Sequence, residues 1–331
     1  ALSRDLGLAQ YDSLFKIIYK IDIQPEDENL EEYSCSTSED IPISKIGTLL
    51  LVSSFIFSSI HFKSQLPLPK LTIFPEHAKL VEIFIGANAP QSTGTGELGV
   101  IDAILAIGLW LESENQFVTG SLADIEFLNY LQSLSLLSLN TPSPTLRYAS
   151  HVLCSSVLHA HPIDRLRLSF IFDTLKNCPY ELLKASAVAW LKEEILTAFQ
   201  RNSENIFSTP AALTAAQPFL FPAVSDWLKA DDDELMEEIS ESSPFHMAVL
   251  NFLLFIVGKQ FSTILPSRML NIAKEIYLSP LKRCQERAVD IISRNSSDIS
   301  QGLKAELHLI GERVSLCFAK IDILEVGTLH S

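Results

Sequence analysis

The sequence predicts an all-α protein, an α-solenoid of stacked helical hairpins. Three observations carry that expectation. Apolar residues fill 47% of the 331 positions, while glycine occurs only 12 times, against an average usage of about 7%. A large core is therefore available, and disorder is excluded for most of the length. Few tight turns are encoded, since glycine is the residue that makes them and costs a helix interior about 1 kcal/mol. Strand signals are nearly absent: no run of alternating residues is closed by Asn-Gly or Asp-Gly. Apolar residues recur instead at steps of three and four, the helical period.

Taken in order, Leu14, Ile17, Ile18 and Ile21 share one face of a first helix. An acidic loop follows to about Asp40, then a helix over Ile46–Phe62. The connector QLPLPKLTIFPEH cannot be a helix interior, because Pro67, Pro69 and Pro75 remove backbone donors. A helix over Ala78–Ile85 leads to NAPQSTGTGELG, the most loop-like stretch of the chain. Further helices are expected at Leu98–Glu112, Ser121–Leu137, Thr145–His159, Ile163–Lys176 and Tyr180–Phe199. Beyond Asn202 the pattern loosens at Pro210, Pro218 and Pro222. It resumes near Glu234–Ile239, Pro244–Gln260, Ser267–Tyr277, Pro280–Ser293 and Ser300–Ile321.

The middle is the most regular part. Pro144, Pro162 and Pro179 lie 18 and 17 residues apart, each ahead of an amphipathic helix. Proline is tolerated in a first helical turn, where its missing N–H costs nothing. Two such steps make 35 residues, close to one hairpin of a HEAT/ARM-like repeat. The expectation is one continuous helical domain over residues 1–331, with sub-units 1–95, 96–205 and 206–331.

The charge balance is 25 basic against 40 acidic residues, a net charge of −15. Phosphate backbones and anionic lipid repel such a chain, so neither nucleic acid nor a membrane is an expected partner. The acids gather in PEDENLEEY and in KADDDELMEEISE. Each run reads as a solvated loop, or alternatively as a docking patch for a basic partner. IGTLLLVSSFIFSSIHF, between Lys45 and Lys63, is 17 residues without a formal charge, short of the ~20 a bilayer needs. It reads as a helix buried on all sides of a soluble core, and FHMAVLNFLLFIVG reads the same way. Cysteines stand at 35, 154, 178, 284 and 317, with no CxxC pair. An odd count implies reduced thiols and an intracellular protein. The opening ALSRDLGLAQ has neither an initiator methionine nor a signal peptide, as expected of a fragment of a longer chain.

LHAHPID, Leu158 to Asp164, is the one stretch that resembles a metal motif. A metal site would need His159, His161 and Asp164 to converge. The preceding TLRYASHVLCSSVL is helical, and two residues along a helix turn by about 200°, so the imidazoles diverge. The corner reading accounts for every residue. His159 suits the negative end of one helix, and the residue before Pro162 is forced out of the helical region. Asp164 then suits the positive end of the next helix. Arg165, Arg167 and Asp173 are available for ion pairs. GxSxG, GxxxxGK and HExxH are absent, and GTGELG at 94–99 does not follow a strand. Neither an enzyme, nor a bound metal, nor a cofactor is expected.

The segment SLSLLSLNTPSPTLRYASHVLCSSVLHAHPIDRLRLSFIFDTLKNCPYELLKASAVAWLKEEIL resembles the fungal Yap-binding/glomulin family. YDSLFKIIYKIDIQPEDENLEEY and PLPKLTIFPEHAKLVE look like upstream parts of the same sequences, so the likeness spans roughly residues 10–200. The resemblance implies a non-catalytic, HEAT-like helical adaptor in the cytoplasm, the nucleus or both. It implies roles in oxidative-stress signalling through an AP-1-like transcription factor, with a thiol peroxidase as a further partner, or at the kinetochore through its subunits. The alternative it offers is a glomulin-like inhibitor that binds the RING subunit of a cullin–RING ubiquitin ligase. Stress signalling by thiol exchange would require an accessible, low-pKa cysteine. Glu31, Glu32, Glu39 and Asp40 oppose a thiolate at Cys35, and Cys154 lies in an apolar run. Cys178 directly precedes Pro179 and is expected to cap a helix N-terminus, where the dipole favours the thiolate.

Overall fold

The computed structural model describes residues 44–62, 70–86, 95–118, 120–294 and 301–329. The first expected helix, the acidic run PEDENLEEY and Cys35 lie outside these residues. The described chain is all-helical. A single parallel bridge pairs Phe74 with Val118, and no strand occurs among the described residues. Two compact units divide between Ala160 and His161, inside LHAHPID.

In the first unit the helices are α1 Lys45–Phe62, α2 Glu76–Ile85, α3 Thr95–Ser113, α4 Asp124–Asn140 and α5 Pro144–Ala160. α4 and α5, joined by three residues, form a helical hairpin. α3 packs on α1, α2 and α5.

The second unit holds α6 Asp164–Asn177, α7 Glu181–Gln200, α8 Pro210–Leu220, α9 Asp232–Ile256, α10 Met269–Ile272, α11 Ser279–Arg294 and α12 Gln301–Leu329. α7 packs on α6 and α9, α9 on α12, and α11 on α12. The 3-10 turn Ile206–Ser208 packs against α7, and α8 packs on α6.

Helix existence follows the sequence pattern closely, with three corrections. α8 is a helix where proline spacing had promised irregular chain. Thr209 Oγ1 accepts from the Ala211 N–H at 3.3 Å and Pro210 occupies the first turn, a standard start signal. α9 runs unbroken through Pro244, although a break between Ile239 and Pro244 was expected. Its buried face, from Leu235 through Val249 to Ile256, packs on α7 and α12, and that burial outweighs the roughly 3 kcal/mol of an interior proline. α10 runs into α11 through a π-helical turn, Ala273–Leu278. Ser279 Oγ donates to the Lys274 carbonyl at 2.7 Å there, just ahead of Pro280, which brings no donor of its own.

α1 corrects a fourth expectation. By length and composition α1 and α9 are both long and apolar enough to cross a membrane. In α9 56% of the apolar window is buried, but in α1 only 22% is. α1 buries the stripe Thr48, Leu49, Val52 and Ile56 and leaves Ile46, Leu50, Phe57 and Ile60 exposed. It is therefore not buried on all sides.

The core of the first unit is organised around His77. Its Nε2 sits 2.8 Å from the Ile104 carbonyl and its Nδ1 2.9 Å from Tyr130 Oη. A carbonyl can only accept, so Nε2 carries the proton and Nδ1 accepts from the tyrosine. Gly108 on α3 makes room for this ring. A Cβ there would stand 2.5 Å from Leu153 Cδ2 and 2.7 Å from His77 Cε1. Gly108→Ala should therefore destabilise the protein by about 1–3 kcal/mol, despite alanine's better helix propensity. A urea midpoint at or above wild type would show that the ring can yield.

Candidate functional site

LHAHPID is a corner. α5 ends at Ala160 and α6 begins at Asp164, so Pro162 precedes the helix by two residues instead of sitting in its first turn. Each polar side chain from His161 onward has structural work. His161 Nδ1 accepts from the Ile163 N–H at 3.2 Å. Asp164 Oδ2 accepts from the Ile206 N–H at 2.7 Å, tying α6 to the turn before α8. Arg167 is buried. Its Nε donates to Glu194 Oε1 at 2.8 Å, its Nη1 donates to the His161 carbonyl, and its guanidinium lies 5.6 Å from the Phe207 ring centre. The expected ion-pairing of Arg167 is real, but its partner is Glu194, one helix further on.

The second unit has its own buried histidine. His246 Nδ1 is 2.9 Å from Tyr277 Oη, with the Trp227 ring edge-on at 5.3 Å, and His246 Nε2 has no hydrogen-bond partner. Burial drives the His77 pKa down to about 4. Burial, then the positive charge of Lys184, drives that of His246 to about 3. Both rings are buried, and burial favours their neutral form. No group of three or more metal-ligating side chains gathers among the described residues.

Cys178 is placed differently from the expectation. It is the C-cap of α6, its N–H bonded to the Thr174 carbonyl at 3.2 Å, and Tyr180 is the N-cap of α7. The negative end of a helix dipole disfavours a thiolate. Partial burial pushes the thiol pKa up, opposed by its contact with the Tyr180 carbonyl and by Lys184. Cys154 and Cys317 are pushed to about 12 and Cys284 to about 11, each by burial. Cys178 is half-buried while these three are buried. In the folded protein Cys178 should alkylate faster than Cys154, Cys284 and Cys317, yet with a rate that rises only above the usual thiol range. Peptide-resolved kinetics between pH 7 and 10 check this. A rate already saturated at neutral pH would contradict it and restore the low-pKa thiol.

A groove of about 870 Å³ lies between α11 and α12 in the second unit. Its apolar lining is Val289, Ile292, Leu307 and Leu316. Gln285 reaches across and donates to the Leu307 carbonyl at 3.0 Å, in the space beside Gly311, where a Cβ would come within 2.9 Å of Gln285 Nε2. The rims carry both signs: Lys282 lies 3.8 Å from Glu286, and His308 3.8 Å from Glu312. Sequence reading missed this groove. Lys282, Glu286 and Val289 do follow helical spacing on one face of α11, but which helix would stand opposite was not encoded locally.

An apolar floor with polar, charged rims is a composition found at protein–protein interfaces. The described residues form an all-helical fold of packed helices. The sequence model of the family described as YAP/Alf4/glomulin matches residues 1–324. The chain belongs to that family. Comparison with curated proteins gives no significant match.

Proposed function

We propose that this chain is a non-catalytic helical adaptor whose groove between α11 and α12 receives a segment of a partner protein. The observation that carries the reading is the groove itself, apolar along its floor and charged with both signs along its rims. Its partners are proteins of oxidative-stress signalling or chromosome segregation: an AP-1-like transcription factor, a thiol peroxidase or kinetochore subunits. The adaptor works in the cytoplasm, the nucleus or both. Glomulin stands in the family's description, which favours a second reading, in which the groove holds the RING subunit of a cullin–RING ligase.

Affinity capture from extract followed by mass spectrometry tests the proposal, with wild type compared against Val289→Glu and Lys282→Glu. Both positions lie on α11 and line the groove, so their loss should abolish partner capture while leaving the helical circular dichroism intact. A bZIP factor, a thiol peroxidase or kinetochore subunits among the lost proteins support the first reading, and a cullin–RING pair the second. Identical captures by wild type and both variants would remove the groove from the function.

A further inference from the structure

α12 has two apolar faces where a surface helix ordinarily has one. Leu307, Ile310, Val314, Cys317 and Ile321 are buried, and the helix packs on α9 and α11. Nearly half a turn away run Ala305, Leu309, Glu312, Leu316, Ala319 and Ile323, all exposed. Leu309 is 44%, Leu316 48% and Ile323 69% exposed. Single exposed leucines need no explanation. Here the steps are 4, 3, 4, 3 and 4 residues, the rhythm of a coiled-coil seam, sustained over about 27 Å of helix at ~1.5 Å per residue.

We propose that this face is a self-association seam, occupied by α12 of a second copy lying antiparallel across a two-fold axis near Val314. Side-chain size and charge select the occupant and its direction. In the antiparallel register Ala305 of one copy faces Ile323 of the other, and Leu309 faces Ala319, so a small side chain meets a large one in each of these layers. Glu312 faces Leu316. On the flanks, Glu306 of one copy lies beside Lys320 of the other, and His308 beside Asp322. Near the axis Arg313 lies beside Glu312, which offsets the approach of the two arginines. The symmetry repeats every pair. A parallel arrangement does the opposite: it sets Glu312 against Glu312 and brings His308 toward Arg313, with no compensating contact.

The groups involved are accessible. Glu306 accepts from Ser243 Oγ at 3.1 Å and Asp322 from Lys274 Nζ at 2.7 Å within one chain, and a carboxylate has capacity for a further donor. Leu316, Glu312 and His308 also line the groove, but self-association of the purified chain is read without any partner. Val289→Glu, on the α11 side of the groove, should leave the dimer intact, so the adaptor reading and this one fail separately.

Sedimentation equilibrium on the 331-residue chain is the test. Wild type should show a concentration-dependent dimer. Leu316→Glu sets carboxylates of both copies against each other near the axis and should weaken the dimer at least about tenfold. Lys320→Glu should also weaken it, and Lys320→Glu combined with Glu306→Lys should restore it, which a merely structural role for either residue would not produce. Phe57→Glu, on the exposed face of α1, should change nothing. A wild type that is monomeric at every concentration, a dimer indifferent to Leu316→Glu, or a dimer lost on Phe57→Glu instead would each overturn the proposal.

Discussion

Glu194→Ala is expected to cost roughly 3–5 kcal/mol of stability, a large part of what an ordinary domain has. The substitution leaves the guanidinium of Arg167 buried beside α7 without the carboxylate that takes its Nε at 2.8 Å. Arg167 also donates to the His161 carbonyl at the corner that opens the second unit, so its displacement reaches the start of α6. The pair itself need not be strongly stabilising, because desolvating two charges offsets most of their attraction. The double variant Arg167→Leu/Glu194→Leu should therefore recover much of the loss. Urea denaturation of the two single variants and the double variant measures the coupling. Additive losses would show that the buried pair is not a unit.

Acid should unfold this protein earlier than its exposed carboxylates alone would require. His77 and His246 have folded pKa values of about 4 and about 3, against about 6.5 for an unfolded chain. The unfolded state therefore binds more protons below pH 6.5. Stability is fully present above that pH and is lost as pH falls from 6.5 to about 4 for His77, and to about 3 for His246. His77 contributes on the order of 3 kcal/mol to the loss and His246 on the order of 5 kcal/mol, each with a slope of up to about 1.4 kcal/mol per pH unit. His77→Gln/His246→Gln removes both titrations, so it should be less stable than wild type at pH 7.5 but lose less between pH 7.5 and 4.5. Equal losses for the two proteins over that interval would show that other groups govern the acid limit. One such histidine stands in each compact unit, so both units should weaken together.

Helices and corners were legible because they depend on neighbours in sequence. The boundaries of α2 and of α4 to α7 lie within about three residues of those read from periodicity and proline placement. The same local logic identified LHAHPID as a corner. It failed at Pro244, where a penalty of local geometry is outweighed by the burial of α9 against α7 and α12. It failed at Cys178 by two residues, enough to exchange the positive end of one helix for the negative end of another. The exposed stripe of α12 is visible in the sequence as Leu309, Leu316 and Ile323, seven residues apart. A stripe alone does not say whether a face is buried or bare.

Periodicity, composition and proline spacing thus determined that the chain is helical, roughly where each helix runs and what the HAHPID corner is. These are properties of hydrogen bonds and side chains within a turn or two of one another. The tertiary structure alone decided that Arg167 meets Glu194, that His77 meets Tyr130 and His246 meets Tyr277, and that α11 and α12 enclose a groove. The histidine–tyrosine pairs join residues 53 and 31 positions apart. No local preference selects between two equally apolar helix faces. That choice is made by the packing that buries the most surface, and the polar partners are those that packing brings together.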